Sequence, residues 1–235
     1  MSSLLVDLNN DSYDDILFWN FDNRSSWSNA DEGYILLSNN SSNIESWSKI
    51  SLPIGPYGFD HNKYNHAASG DINNDGFIDV VVSITRDLPY YEGAYIQVLI
   101  NDGQGALKDM TETNFFNQPR SQTHHGEGNI YLRDMNLDGS IDIIHSTRDY
   151  SSGYHGAHIA INDGNGNFNS ITNDDLPNKP NSGYNNYDFL MKSLPINIDN
   201  EACIDFISVT DSGWENSTDE TSNYLFTVFN TACDF

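Results

Sequence analysis

The sequence predicts an all-β protein made of four repeated units of four short strands, the arrangement of β-propeller blades. Three observations predict this fold. A nine-residue acidic motif returns at a nearly constant interval, short apolar runs rich in β-branched and aromatic residues follow each copy, and no segment carries the 3.6-residue apolar period of a long helix. The predicted blades cover residues 1–56, 57–119, 120–182 and 183–235.

The acidic motif marks one fixed point in every unit. It reads DLNNDSYDD at 7–15, DINNDGFID at 71–79, DMNLDGSID at 134–142 and, in decayed form, NIDNEACID at 197–205. The copies start 64, 63 and 63 residues apart, and so regular a spacing is typical of repeat proteins.

The predicted strands are short and lie at the same places in every unit. The first strand precedes the motif, the second follows its last aspartate, and Asn-Asp-Gly turns at 101–105 and 162–166 separate the third strand from the fourth. The predicted first strands are 4–7, 66–70, 129–133 and 189–194, and the second strands are 16–19, 80–82, 143–144 and 206–209. The third strands are 34–37, 95–100, 158–161 and 224–229, and the fourth strands are 47–52, 107–113 and 168–172. Because the last unit has no fourth strand, we expect the chain to belong to a larger ring, with a closed four-bladed ring as the alternative.

Composition narrows the classes of partner. The chain has 10 Lys and Arg against 34 Asp and Glu, a net charge of −24, which disfavours binding to nucleic acid or to anionic lipid. No apolar run approaches the ~20 residues of a transmembrane helix, so no membrane insertion is expected. Cations are the natural partners of so many carboxylates.

The oxygen-bearing side chains of the motif indicate a metal site. Carboxylates or amides fill its first, third, fifth and ninth positions, and Ca²⁺ prefers such ligands together with a backbone carbonyl from the seventh position. An EF-hand is excluded, because its loop needs glutamate at position twelve and a following helix, whereas Val82 and His145 stand there and strands follow. The remaining alternative is a set of Asx-rich turns that hold no metal.

The segment DINNDGFIDVV at 71–81 resembles the FG-GAP/VCBS-type repeat of integrin α-subunit propellers and many bacterial surface proteins. The resemblance covers nearly the whole chain and implies propeller blades, usually seven to a ring, with Ca²⁺ in the acidic loops. For this chain we expect two to three calcium sites. By match to that motif the predicted ligands, with the carbonyl at the seventh position, are Asp7, Asn9, Asp11, Tyr13 and Asp15; Asp71, Asn73, Asp75, Phe77 and Asp79; and Asp134, Asn136, Asp138, Ser140 and Asp142. The family includes adhesive, lectin-like and enzymatic proteins, so it does not fix an activity.

The fourth copy departs from the pattern and carries a cysteine. Asn197, Glu201 and Ala202 replace the first aspartate, the fifth-position aspartate and the glycine, so calcium is not assigned there. Cys203 begins the second strand and Cys233 follows the third, which places them side by side in an antiparallel pair and predicts a disulfide, with two free buried thiols as the alternative. A disulfide implies an oxidising compartment, so we expect an extracellular or cell-surface location, although the first residues do not read as a signal peptide.

The loops at the end opposite the acidic motifs, called here the opposite loop face, join the second strand to the third and each unit to the next. They are rich in histidine, arginine and aromatic residues, which suggests a surface that binds a glycan or protein partner. The candidate ligand-binding residues are Arg86, Tyr91, His124, His125, Arg148, Tyr154, His155 and Trp214. Two alternatives remain: the same side chains only cap the blade ends, or they serve a polysaccharide lyase in which arginine neutralises a uronate and His and Tyr exchange protons. No catalytic motif is present, so we expect a binding module rather than an enzyme.

Overall fold

A computed structural model describes residues 2–19, 33–58, 61–86, 92–116, 118, 128–147, 158–170, 189–197, 204–211 and 225–228. These residues form fifteen strands in four antiparallel sheets, which confirms the all-β class. Within these ranges no helix has the length and apolar character needed to cross a membrane. The Cys203–Cys233 pair lies outside the described residues, so the disulfide stays a prediction.

Each sheet is built from strands that are consecutive in the sequence. Sheet 1 contains β1 (Ser2–Val6), β2 (Asp15–Trp19), β3 (Gly33–Leu37) and β4 (Ser48–Ser51). Sheet 2 contains β5 (Lys63–Gly70), β6 (Asp79–Arg86), β7 (Glu92–Asn101) and β8 (Leu107–Asp109). Sheet 3 contains β9 (Gly128–Arg133), β10 (Asp142–Thr147), β11 (His158–Asn162) and β12 (Phe168–Ser170). Sheet 4 contains β13 (Phe189–Ile196), β14 (Asp205–Asp211) and β15 (Leu225–Val228).

The predicted fourth strand of the second unit is shorter than expected. It ends at Asp109, and a helical turn, α1 (Thr111–Asn114), replaces the rest of the predicted strand 107–113. The cause is local, because Asp109 Oδ1 accepts hydrogen bonds from both the amide (2.9 Å) and the hydroxyl (2.6 Å) of Thr111. The Thr111 hydroxyl oxygen in turn accepts the Val98 amide (2.9 Å), so the edge of β7 stays paired without a longer strand.

Three apolar cores lie between successive sheets. Side chains alternate across each strand, so sheets 2 and 3 each give one face to the preceding sheet and the other to the following sheet. The first core joins sheets 1 and 2 (Leu17, Trp19, Ile35, Val80, Val82 and Leu99), the second joins sheets 2 and 3 (Val81, Ile96, Val98, Ile130, Leu132 and Ile143), and the third packs Ile144 and Ile159 of sheet 3 with Ile204 beside sheet 4. The first strands of successive sheets are neighbours, which lines the sheets up in chain order.

Candidate metal-binding loops

The acidic motifs form three loops of the same backbone shape, each between the first and second strands of a sheet. In every loop the fourth and sixth residues have positive φ, with values of 58° and 72° for Asn10 and Ser12, 58° and 90° for Asn74 and Gly76, and 61° and 91° for Leu137 and Gly139. Asparagine and glycine accept this left-handed conformation readily, whereas leucine at position 137 costs about 1 kcal/mol. The third loop keeps the shape despite that cost, so contacts outside residue 137 hold it.

Hydrogen bonds inside each loop draw the predicted ligand oxygens together. In the second loop the amide of Asp75 donates to Asp71 Oδ1 and to Asn73 Oδ1, both at 3.1 Å, while the Gly76 amide donates to Asp71 Oδ2 at 2.9 Å. Because two oxygens from different residues approach one amide, the first and third positions face the same point. The first and third loops repeat these bonds at 2.8–3.2 Å.

The aspartate at the ninth position is buried and ties the loop to the next turn. Asp79 Oδ2 accepts the Ile72 amide (3.1 Å) and Asp79 Oδ1 accepts the Asn101 amide (2.8 Å). Asp15 and Asp142 make the equivalent pairs of bonds. Burial raises the pKa of Asp79 and of Asp142 to about 6, and the carboxylates at the first and fifth positions of each loop add to the rise.

Two buried asparagines connect these loops between sheets. Asn101 Nδ2 donates to Leu8 O in the loop of the preceding sheet (2.8 Å) and to Ile78 O (2.9 Å). Asn162 Nδ2 donates to Ile72 O (2.7 Å) and Ile141 O (2.9 Å) in the same way. The sequence had indicated these residues only as turn formers. The sequence does hold a signal for this role, because both Asn-Asp-Gly turns begin with asparagine. The equivalent residue of the first unit is Ser38, and no described loop precedes that unit.

The bonds form one continuous chain through all three loops. Its members, in order, are Asp15, Leu8, Asn101, Asp79, Ile72, Asn162, Asp142 and Met135. Near the surface, Asn10 Nδ2 also donates to Gly76 O (3.3 Å), and Asn74 Nδ2 donates to Gly164 O (3.1 Å). The three acidic loops and the Asn-Asp-Gly turns therefore lie together at one end of the sheets.

A model of the FG-GAP-like repeat matches residues 7–82 and 71–145, which together span more than half of the chain. The chain belongs to the FG-GAP-like repeat family. The two matches begin at the first residue of an acidic motif, Asp7 and Asp71, and each runs through the following acidic motif.

Among solved structures the chain is similar to a lectin from Agrocybe aegerita, described for its specific recognition of non-reducing terminal N-acetylglucosamine. The identity is 13%, and the similarity covers 98% of this chain and 80% of the lectin chain. The TM-score is 0.24, and at that value the likeness supports no statement about this chain.

The acidic loops contain the carboxylate and amide oxygens that a hard cation requires, but these oxygens are not arranged around one point as a complete coordination shell. In the described part of the chain, no three or more His, Cys, Asp and Glu side chains gather as a metal-ion site. One predicted ligand in each loop is an amide, and the ninth aspartate already accepts two backbone amides. Each carboxylate oxygen can still accept a second interaction. The donor set thus fits Ca²⁺ in chemistry, and the ligand assignment remains a prediction.

Of the candidate residues on the opposite loop face, the structure describes Arg86 alone. Its guanidinium forms an ion pair with Glu92 (2.6 Å) and lies over the ring of Tyr57, 5.3 Å from the ring centre. The side chain is 14% exposed, so these contacts pack the end of sheet 2. The other predicted ligand-binding residues, Tyr91, His124, His125, Arg148, Tyr154, His155 and Trp214, lie outside the described residues.

Two histidines near that face are structural. His158 is buried in β11 opposite His145 of β10, and burial lowers the pKa of His158 to about 4, so its imidazole is neutral. His66 Nδ1 accepts the amide of Ile130 (3.1 Å) and so joins sheet 2 to sheet 3. Both residues lie in strands, β11 and β5, within the predicted strand runs 158–161 and 66–70.

Proposed function

We propose that this chain is a calcium-stabilised extracellular β-propeller module that binds a glycan or protein partner through the opposite loop face. The observation that carries the calcium part is the repetition of one loop geometry, in which oxygens of the first and third residues converge on the same amide in all three loops. A set of unrelated Asx turns would not be expected to repeat that arrangement at every copy of the motif.

Electrostatics supports a bound dication. Each loop has at least three aspartates within nine residues, and burial together with repulsion among these carboxylates raises the pKa of Asp15, Asp79 and Asp142. A divalent cation offsets this repulsion, since an opposite charge favours the ionised carboxylates. The hydrogen-bond chain through Asn101 and Asn162 then extends the effect of each ion to the neighbouring sheet.

The order of the sheets supports the propeller assignment. Sheets 1 to 4 pack face to face in chain order, with their first strands side by side and all three acidic loops at one end. Propeller blades also pack face to face in chain order, so this order supports the assignment. We propose that the four units are blades and that the ring they belong to is larger than four.

The calcium proposal predicts two to three bound ions for each chain. In a calcium titration of chelator-treated protein, followed by calorimetry, Asp75→Ala and Asp138→Ala should each remove one ion, because each deletes a carboxylate at the fifth position of a loop. Asp102→Ala is the matched control, since this exposed aspartate lies at the same end but outside the acidic loops. The proposal would be contradicted if calcium gave no binding heat with the wild type, or if all variants bound the same number of calcium ions.

The partner proposal rests on the composition of the opposite loop face, where arginine, histidine and aromatic side chains collect in a chain of net charge −24. A glycan array probed in calcium-containing buffer tests it. We expect selective binding that Arg148→Ala reduces at least tenfold, while Lys108→Ala, an exposed cation on β8, leaves it unchanged. If no glycan binds, the glycan part of the proposal is wrong, and the same two variants then test binding to a protein partner. Equal binding by both variants would show that the opposite loop face is not the binding surface.

A further inference from the structure

The two end sheets each present a face that no described element covers. In sheet 1, β1 sends Leu4 and Val6 into the core with sheet 2, while Leu5 points the other way and is 63% exposed. The same alternation leaves four half-buried side chains on that side of β2 and β3. We call this set the outer face of sheet 1; its residues are Leu5, Ile16, Phe18, Tyr34 and Leu36.

The repeat identifies this surface as an interface rather than a solvent face. The positions equivalent to Ile16 are Val80 and Ile143, and the position equivalent to Leu5 in the third unit is Leu132. Val80 is buried against sheet 1, while Ile143 and Leu132 are buried against sheet 2. In sheets 2 and 3, this side therefore packs on the preceding sheet.

Sheet 4 has the opposite side uncovered by described residues, the side that in the other sheets packs on the following sheet. Leu194 and Ile196 of β13 are 47% and 37% exposed, while Pro195 between them is buried. The positions equivalent to Leu194 are Leu4, Ala68 and Tyr131, and each of them packs into the core shared with the following sheet. Leu194 and Ile196 define the outer face of sheet 4, which is the side that elsewhere receives the next sheet.

We propose that the outer face of sheet 4 packs on the outer face of sheet 1 of a second copy, so that two chains associate head to tail. The contact would continue the interface already present between sheets 1 and 2, 2 and 3, and 3 and 4, with the same repeat positions on each side. The contact would use the same apolar packing that joins the sheets within one chain. It is separate from the calcium and partner proposals, because neither the acidic loops nor the opposite loop face takes part.

The chemistry of the outer face of sheet 1 favours this occupant. Its five residues carry no charge in a chain that has 44 charged residues. Phe18 and Tyr34 form a ring pair with centroids 5.2 Å apart. Lys49 pairs with Leu36 and so lies on the same side of the sheet, with its Nζ over the Tyr34 ring, 4.2 Å from the ring centre. A patch of aliphatic and aromatic side chains that carries one lysine and no carboxylate among these residues is suited to burial against the apolar face of another sheet. Because both faces belong to a strongly acidic chain, salt should strengthen the association by screening the repulsion.

The contact is heterologous, since it joins two different surfaces, and this makes it testable by complementation. Light scattering coupled to size-exclusion chromatography should show concentration-dependent association of the wild-type chain. Leu5→Glu and Leu194→Glu should each be monomeric. An equimolar mixture of the two variants should form a one-to-one dimer, because each variant keeps the face that the other lacks. Ile44→Glu is the matched control, because Ile44 is 46% exposed in a short 3-10 helix (Ile44–Ser46) outside both faces, and this variant should associate like the wild type.

Several outcomes would overturn the proposal. A wild type that stays monomeric at all concentrations excludes association, and a Leu5→Glu chain that associates normally excludes the outer face of sheet 1. If Leu5→Glu is monomeric while Leu194→Glu still dimerises, two copies of the face of sheet 1 meet each other instead. Circular dichroism of each variant verifies that the sheets are formed, and recovery of a dimer in the mixture shows the same independently. The calcium titration above is unaffected by either result, so failure of one proposal does not decide the other.

Discussion

Replacing Asp79 by alanine is expected to lower the free energy of unfolding by about 3 kcal/mol, because the change leaves two buried amides without an acceptor. Those amides belong to Ile72 and Asn101, which lie in the acidic loop and at the start of the next turn. Urea denaturation measured in EDTA separates this effect from any loss of calcium. Asp14→Ala is the matched control, since Asp14 is exposed one residue before the buried Asp15, and should change stability by less than about 0.5 kcal/mol.

The sign of the pH dependence follows from the pKa of Asp79, which burial raises from 3.8 to about 6. The folded state holds this proton more tightly than the unfolded state, so ionisation of Asp79 lowers stability as the pH rises from 3.8 through about 6. Asp79→Asn lacks that ionisation. In EDTA its deficit relative to the wild type should therefore shrink between pH 5 and pH 7.5. A deficit that grows over this range would contradict the assignment of a raised pKa.

Replacing Asn162 by alanine is expected to cost about 3 kcal/mol and to weaken the contact between sheets 2 and 3. The side chain is 1% exposed and donates to two carbonyls, Ile72 O in the preceding loop and Ile141 O in its own. Its Oδ1 also accepts the amides of Gly164 and Gly166, both at 3.0 Å. Truncation thus leaves donors and acceptors unpaired on both sides of the interface.

Hydrogen exchange is the measurement that separates this effect from general destabilisation. In Asn162→Ala, amides of the 71–79 loop should exchange faster even though the substitution lies 90 residues away in sequence. Asn165→Ala, at an exposed position of the same turn, should leave exchange in that loop unchanged. Unaltered protection of the loop in Asn162→Ala would show that the buried amide does not couple the two sheets.

Much of the local structure could be predicted from sequence. The second strands follow the last aspartate of each motif as predicted, and the strands of sheets 1 to 4 overlap the predicted runs, because alternation and β-branched residues act over a few neighbouring positions. The exception at 107–113 has a local cause that pattern reading missed, a side-chain bond from Thr111 to Asp109. The left-handed residues were also foreseeable at Gly76 and Gly139, but not at Leu137, where neighbouring contacts override intrinsic preference.

The role of Asn101 and Asn162 could not be predicted, because each acts on a residue about 90 positions earlier in the chain. An asparagine before Asp-Gly is sufficiently explained by the turn it opens, so nothing in the local pattern demanded a partner in another sheet. The contacts of Arg86 with Glu92 and Tyr57 also depend on the folded chain, and ligand binding by Arg86 stays a prediction. A cation near a surface loop does not reveal its partners until the loops are assembled.

The sequence by itself determined the period, the strands, the acidic loops and the membership of a repeat family, since these depend on residues close together in the chain. The tertiary structure alone decided how one repeat packs on the next: which aspartates become buried, which asparagines bridge the sheets, and which faces of sheets 1 and 4 no described residue covers. The physical reason is that a hydrogen-bond donor is satisfied, or an apolar side chain buried, only by what packs against it, and in this chain the packing partner belongs to another unit.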